Sequence, residues 1–263
     1  MDLLYNKAIE YLKTDTIKNL ATLKYLQFFK DNVEISLMED PFDWALLIAI
    51  PIELLWYDSV NYPDANQTVF INGTSDELMY SLLGKLKENN YVIRTNKPID
   101  FSPLKNRYQI SHGSSYVSYT CNSVNNAVQK SNLSDNVQQH HILTDEAIKL
   151  ITNNGYTEES LRKYFGNESV WFGYICEGII KSICFVYQNY EAIWEIAGVH
   201  TIESDRNKGY GRAVVTSAIE YLLHKGLTPR YGVNINNTAS INLAESLGMK
   251  QFLRIDHFLL KAD

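Results

Sequence analysis

The stretch WEIAGVHTIESDRNKGYGRAVV, residues 194–215, passes from strand-forming residues through a glycine-containing loop into a helix. β-Branched and aromatic residues up to Thr201 favour an extended chain. Arg206-Asn207-Lys208-Gly209-Tyr210-Gly211 is the loop. Gly209 and Gly211 let the backbone turn tightly and aim several N–H groups at one point. The helix that starts there adds roughly half a positive charge, and Arg206, Lys208 and Arg212 add whole ones. A diphosphate is the ligand such a site suits. Two other phosphate-binding patterns are absent: no G-x-x-x-x-G-K-[ST], and no G-x-G-x-x-G opening a βαβ unit.

Working outward, helices are expected from Thr144-Asp145-Glu146 to Ile151 and after the Thr157 cap. The β-rich runs 170–176 and 179–187 flank Glu177-Gly178 and predict a hairpin. A strand over 192–201 leads into the glycine loop, and a helix over 211–225 follows. A strand over 230–235, a helix over 239–247 and a strand over 251–260 complete this half. In the amino-terminal half two helices meet near Thr14. Strands are expected over 33–38, 45–57 and 68–71, then a helix over 76–89 and further strands over 91–94 and 108–120. Residues 121–139 turn polar and read as a linker. The expected division is an α/β domain over 1–125, a linker over 126–139 and a second domain over 140–263.

A net charge of −6 disfavours nucleic acid as a partner, while leaving room for a local basic pocket. The three cysteines, Cys121, Cys176 and Cys184, have neither disulfide-framework nor metal-ligand spacing, so no metal is expected and a reduced cytoplasmic setting fits. The most apolar run, 44–57, is too short to span a bilayer, so no membrane partner is expected. His140 and His141 lack a ligand spacing and receive no role.

The R-x-x-G-x-G core at Arg206, Gly209 and Gly211 resembles the pyrophosphate motif of the GNAT superfamily of N-acetyltransferases. A second signature follows at Asn237-Thr238-Ala239-Ser240-Ile241-Asn242-Leu243-Ala244-Glu245-Ser246-Leu247-Gly248-Met249, similar to the N-x-x-[AS]-x-x-L-x-x-x-L-G-[FM] pattern that closes such domains. The phrasing from Lys225 to Pro229 and around Asn237 and Ser240 looks most like the glycine N-acyltransferase-like branch. The resemblance covers about residues 140–260 and implies an α/β (α+β) fold: a mixed, mostly antiparallel central sheet flanked by helices. The amino-terminal half, which lacks R-x-x-G-x-G, would be a degenerate GNAT-like domain that shapes the acceptor cleft or supports a homodimer.

The resemblance further implies acetyl-CoA, or another acyl-CoA, as co-substrate and an amine on a small molecule or protein as acceptor. Val199, His200 and Thr201 would pair with the pantetheine arm. The amides of Asn207, Lys208, Gly209, Tyr210, Gly211 and Arg212, beside Arg206, would hold the pyrophosphate. Asn237 and Ser240 would flank the cofactor tail, and the Val199 N–H would polarise the acyl carbonyl. Glu195 is the chosen general base, because an ammonium must lose a proton before it attacks a thioester. One position departs from the family pattern. Ala244 stands where many members carry a tyrosine that protonates the departing thiolate. Ser240, Tyr231 or water would serve instead, or the thiolate leaves unaided, or the chain binds acyl-CoA without turnover as a regulatory or scaffolding protein.

Overall fold

The computed structural model describes residues 2–123, 134–153, 156–166 and 168–263. The first part of the chain forms α1 (Asp2–Lys13), α2 (Leu20–Phe28), β1 (Glu34–Glu39), β2 (Trp44–Pro51), α3 (Trp56–Asn61), β3 (Gln67–Gly73), α4 (Asp76–Gly84), β4 (Tyr91–Thr95) and β5 (Tyr108–Thr120). The second forms β6 (Val137–His140), α5 (Asp145–Thr152), α6 (Glu158–Tyr164), β7 (Val170–Cys176), β8 (Ile179–Tyr190), β9 (Ile193–Thr201), α7 (Tyr210–His224), β10 (Thr228–Asn234), α8 (Thr238–Ser246) and β11 (Lys250–Ala262). No described helix is long and apolar enough to cross a membrane. The mixed, mostly antiparallel sheet flanked by helices that the resemblance implies is the observed fold class.

Two compact units make up the molecule: Met1–Val117 with Leu253–Asp263, and Ser118–Phe252. In the first, the strand order is β1-β2-β3-β4-β11-β5, with β3 and β4 parallel. Asp256 to Leu260 of β11 pair antiparallel with Thr95 to Tyr91 of β4, which is why the last strand groups with this unit. The core is built on β2, whose residues 44–50 are all buried. The strand expected over 45–57 stops at Pro51, and residues 56–61 turn into helix instead. Proline has no N–H to continue the ladder, so it suits a strand end. The helix expected over 76–89 stops at Gly84, a poor helix former.

In the second unit the order is β10-β9-β8-β7-β6, with β9 and β10 parallel and the other neighbours antiparallel. Glu177 (φ 52°) and Gly178 (φ 75°) are both left-handed, as a two-residue hairpin turn requires. Alternation along β7 and β8 sends Trp171, Ile183 and Phe185 to the α5 side. Phe172 and Cys184 face α7 instead, through Tyr221 and the Val214 carbonyl. Helix α7 buries Val214, Val215, Ile219 and Leu222 completely, each worth about 1.5–3 kcal/mol of transfer free energy.

The linker expected over 126–139 needs correction at one end. Residues 126–133 lie outside the described residues, but Ser134–Asn136 form a 3-10 turn and Val137–His140 pair with Trp171–Tyr174 as β6. β6 is an edge strand. Gln138 and Gln139 are exposed there, so its composition carries none of the apolar signal of an inner strand.

The units share one order of elements. Helix, helix, three antiparallel strands, helix and a parallel strand appear as α1-α2-β1-β2-β3-α4-β4, with the short α3 inserted, and as α5-α6-β7-β8-β9-α7-β10.

Candidate active site

The site lies where β9 and β10 part. Only Ile193, Trp194 and Glu195 pair with Thr228, Pro229 and Arg230, although β9 continues to Thr201 and β10 to Asn234. Past Glu195 the backbones diverge, and two cavities open. The larger, about 380 Å³, is lined by Val199, His200, Thr201, Asp205, Arg206, Asn207, Gly209, Tyr210, Gly211, Arg212, Asn237, Ala239, Ser240 and Leu243. The smaller, about 150 Å³, contains Glu195 together with Tyr156, Tyr187, Tyr231 and Asn234. Val199, Asn237 and Ser240 line both.

The loop into α7 has the conformation that its composition implies. Asn207 (φ 63°) and Gly209 (φ 85°) are left-handed, a region that glycine and asparagine tolerate best. A Cβ on Gly211 would lie 3.2 Å from the Thr201 hydroxyl oxygen, so glycine lets the helix start approach β9 closely. Gly209 caps α7 without a side-chain hydrogen bond. By contrast, Ser75 accepts from the Leu78 N–H at α4, and Asn237 from the Ser240 N–H at α8. The first N–H groups of a helix have no partners within it. Together with the Arg206 and Arg212 guanidiniums, this donor set fits a diphosphate. Tyr210 stacks on Tyr174 with centroids 4.0 Å apart, and Arg212 donates to the Ser246 carbonyl at 3.4 Å, tying α7 to α8.

Lys208 departs from expectation. It does not line the larger cavity. Its ammonium donates to Asp205 Oδ1 at 2.7 Å, and Lys181 lies 3.6 Å from the other oxygen. The hydrogen bond from Lys208, with Lys181 beside it, holds the Asp205 carboxyl below the usual carboxylate range. The side-chain charge counted toward a diphosphate is therefore committed to a buried carboxylate, which leaves two arginines in the cavity wall.

Glu195 is buried, with 7% of its side chain exposed. Oε2 accepts from Arg230 and, at 2.7 Å, from Asn189; Oε1 accepts from the Gly232 N–H at 3.0 Å. A carboxylate offers about four acceptor positions. Three are filled, so one remains at Oε1 on the residue that borders the smaller cavity. Arg230 also donates to Ser118 at 2.7 Å.

Strand β9 changes register opposite β8 between the pairs Ile183↔His200 and Phe185↔Ala197. Two residues, Gly198 and Val199, thus face the single Cys184, the count of a β-bulge. Gly198 has φ 60°, and a Cβ there would lie 2.5 Å from the Phe185 ring. The bulge puts Val199 at the junction of the cavities. Burial, and then the Arg206 charge, hold the His200 imidazole below the usual histidine range. Ala244 is fully buried and brings no hydroxyl. Tyr231 hydrogen-bonds Ser240, and burial pushes its phenol up to about 12.

Eleven of the twelve expected cofactor residues thus line one cavity, and Glu195 lines its neighbour. Tyr156, Tyr187 and Asn234 were not expected. No local motif marks them, since they reach the cavity from the loop before α6 and from two strands.

The profile of the family described as GNAT acetyltransferase matches residues 105–253. The chain belongs to the GNAT acetyltransferase family. GNAT acetyltransferases are transferases that use acetyl-CoA. The solved structures similar to this GNAT chain include a GCN5-related N-acetyltransferase from Kribbella flavida, with TM-score 0.54, 10% identity, and 94% of this chain and 97% of that one covered. A tandem GNAT protein from the clavulanic acid biosynthesis pathway has TM-score 0.50 at 11% identity, with 98% and 94% covered. A GNAT acetyltransferase from Colwellia psychrerythraea has TM-score 0.51 at 16% identity, with 84% and 87% covered. At these identities the likeness is one of fold, and the tandem GNAT protein fits the two-unit arrangement described above. No curated protein matches the sequence.

Proposed function

We propose that the protein is an N-acyltransferase that moves an acetyl group from acetyl-CoA to a primary amine by direct attack on the thioester. The observation that carries this reading is that the two cavities are neighbours, sharing Val199, Asn237 and Ser240 in their walls. A phosphate-binding loop borders one and a buried carboxylate the other. Arg206, Arg212 and the amides at the start of α7 hold the diphosphate, and residues 199–201 run alongside the pantetheine arm. Our candidate for polarising the acyl carbonyl is the backbone at the Gly198–Val199 bulge. Glu195 takes the proton of the incoming ammonium through its remaining Oε1 position, directly or through one water. The amine nitrogen then bonds to the acyl carbon and the C–S bond breaks with its electron pair on sulfur. The amide nitrogen sheds its second proton and the thiolate takes one up, which balances the exchange. With Ala244 at the α8 position, the hydroxyls that can pass that proton are Ser240 and Tyr231.

The phrasing around Lys225–Pro229 supports a place in the glycine N-acyltransferase-like branch as a sequence grouping, without carrying the acceptor in that branch's name to this chain. We further propose that the first unit is a degenerate GNAT-like half. It repeats the element order, but its α4 starts with Ser75 as cap and Asp76 and Glu77 in the first turn. The helix's positive end is met there by the chain's own carboxylates, which repel a diphosphate.

The test is calorimetry with acetyl-CoA, followed by thiol release across a panel of amines. Binding with amine-dependent release is expected. Absence of binding overturns the proposal; tight binding without release from any amine favours an acyl-CoA-binding regulatory protein, the reading that Ala244 motivates.

A further inference from the structure

The smaller cavity discriminates by charge, and this bears on the acceptor. Among the described residues that line it, Glu195 is the one full charge; no lysine, arginine or histidine takes part. The guanidinium nearest to it, Arg230, is committed to Glu195 and Ser118 and does not border the space. The ion pair therefore shows the cavity its negative end. Three aromatic rings, Tyr156, Tyr187 and Tyr231, join the neutral polar side chains of Asn234, Asn237 and Ser240 in the wall. Two of them pack on one ring: Tyr187 stacks on Phe185 at 5.6 Å, and Tyr156 meets it edge-on at 5.5 Å. A carboxylate among aromatic rings, with no cationic side chain in the wall, suits a cation. An anionic group brought beside Glu195 would find no counter-charge, and burying an unpaired charge is costly.

Resting on the acyltransferase reading, we infer that the acceptor is a primary ammonium whose nitrogen-bearing end carries no carboxylate, such as an aminoalkyl or amino alcohol group, and not an α-amino acid. The experiment compares matched pairs: ethanolamine with glycine, serinol with serine, and tyramine with tyrosine. Thiol release from acetyl-CoA is followed for each. The carboxylate-free member of each pair should have at least a tenfold higher kcat/KM; equal or better use of the amino acids overturns the inference.

Tyr187→Leu should raise KM for the preferred amine at least fivefold, because it removes an aromatic ring from the cavity wall. An unchanged KM in Tyr187→Leu, with acetyl-CoA binding intact, also overturns it. If no amine turns over, the same pairs are titrated into protein loaded with CoA. Selective uptake of the amines supports the inference, and uptake of the amino acids, or of neither, overturns it. Failure of acetyl-CoA itself to bind is a separate result, and it removes the underlying reading instead.

Discussion

Replacing Glu195 by glutamine removes a charge and leaves the shape, yet the surroundings predict a large loss of stability. Arg230 and Asn189 donate to one carboxylate oxygen and the Gly232 N–H to the other. Whichever way the amide turns, its NH2 group faces a donor, and the guanidinium loses its counter-ion. With side chains 7% and 15% exposed, this is a buried pair, and breaking one costs about 3–5 kcal/mol. Taking the lower end because Arg230 keeps some solvent, a loss of about 3 kcal/mol lowers Tm by about 6–12 °C. Arg230→Met should cost about as much, by stranding the carboxylate. The double variant Glu195→Gln/Arg230→Met leaves no unpaired charge and should recover at least about 2 kcal/mol relative to the sum of the single losses. Urea unfolding of the four proteins measures this cycle. The double variant also isolates the chemistry, because it keeps the fold and lacks the carboxylate. Its kcat for thiol release should fall at least about a hundredfold, the lower end for a general base. Single losses below about 1 kcal/mol, or strict additivity, would refute the ion-pair argument. A double variant retaining a tenth of the parental kcat would refute the base.

Three further outcomes are expected. Gly198→Ala combines a left-handed φ of 60° with a Cβ 2.5 Å from the Phe185 ring, and denaturant unfolding should show a loss of about 2–5 kcal/mol from backbone strain and overpacking together. Lys208→Met should leave the Kd for CoA within about threefold, because its ammonium serves Asp205, whereas Arg206→Met or Arg212→Met should weaken CoA and flatten its salt dependence in calorimetry. His257 hydrogen-bonds Tyr62 at 3.1 Å in the first unit, and burial, with Arg94 and His112 adding to it, pushes its imidazole down to about 2. The unfolded chain then binds a proton that the folded chain refuses. Stability is unaffected above about pH 6.5 and falls by up to about 1.4 kcal/mol per pH unit below it; His257→Gln should flatten that slope in pH-dependent urea unfolding.

Asn207 and Gly209 suit a left-handed turn into a helix because each residue's own sterics decide which φ it tolerates. The Glu177-Gly178 hairpin, the Thr144 cap and the order of strands and helices in the second unit are legible for the same reason: neighbouring residues settle them. Cations near the loop are also visible in the sequence, but the allegiance of Lys208 is not, because it depends on Asp205 being buried beside Lys181 of β8. Glu195 can be picked out on its strand. That its carboxylate is buried, paired with Arg230 and left with one open acceptor position follows only from the parallel register of β9 with β10. Tyr156 and Tyr187 reach the acceptor cavity from separate elements, β6 pairs with few apolar residues, and β11 joins the first unit by its ladder with β4. Local backbone preference is written residue by residue, whereas ion pairs, cavity walls and edge strands depend on which distant segments meet.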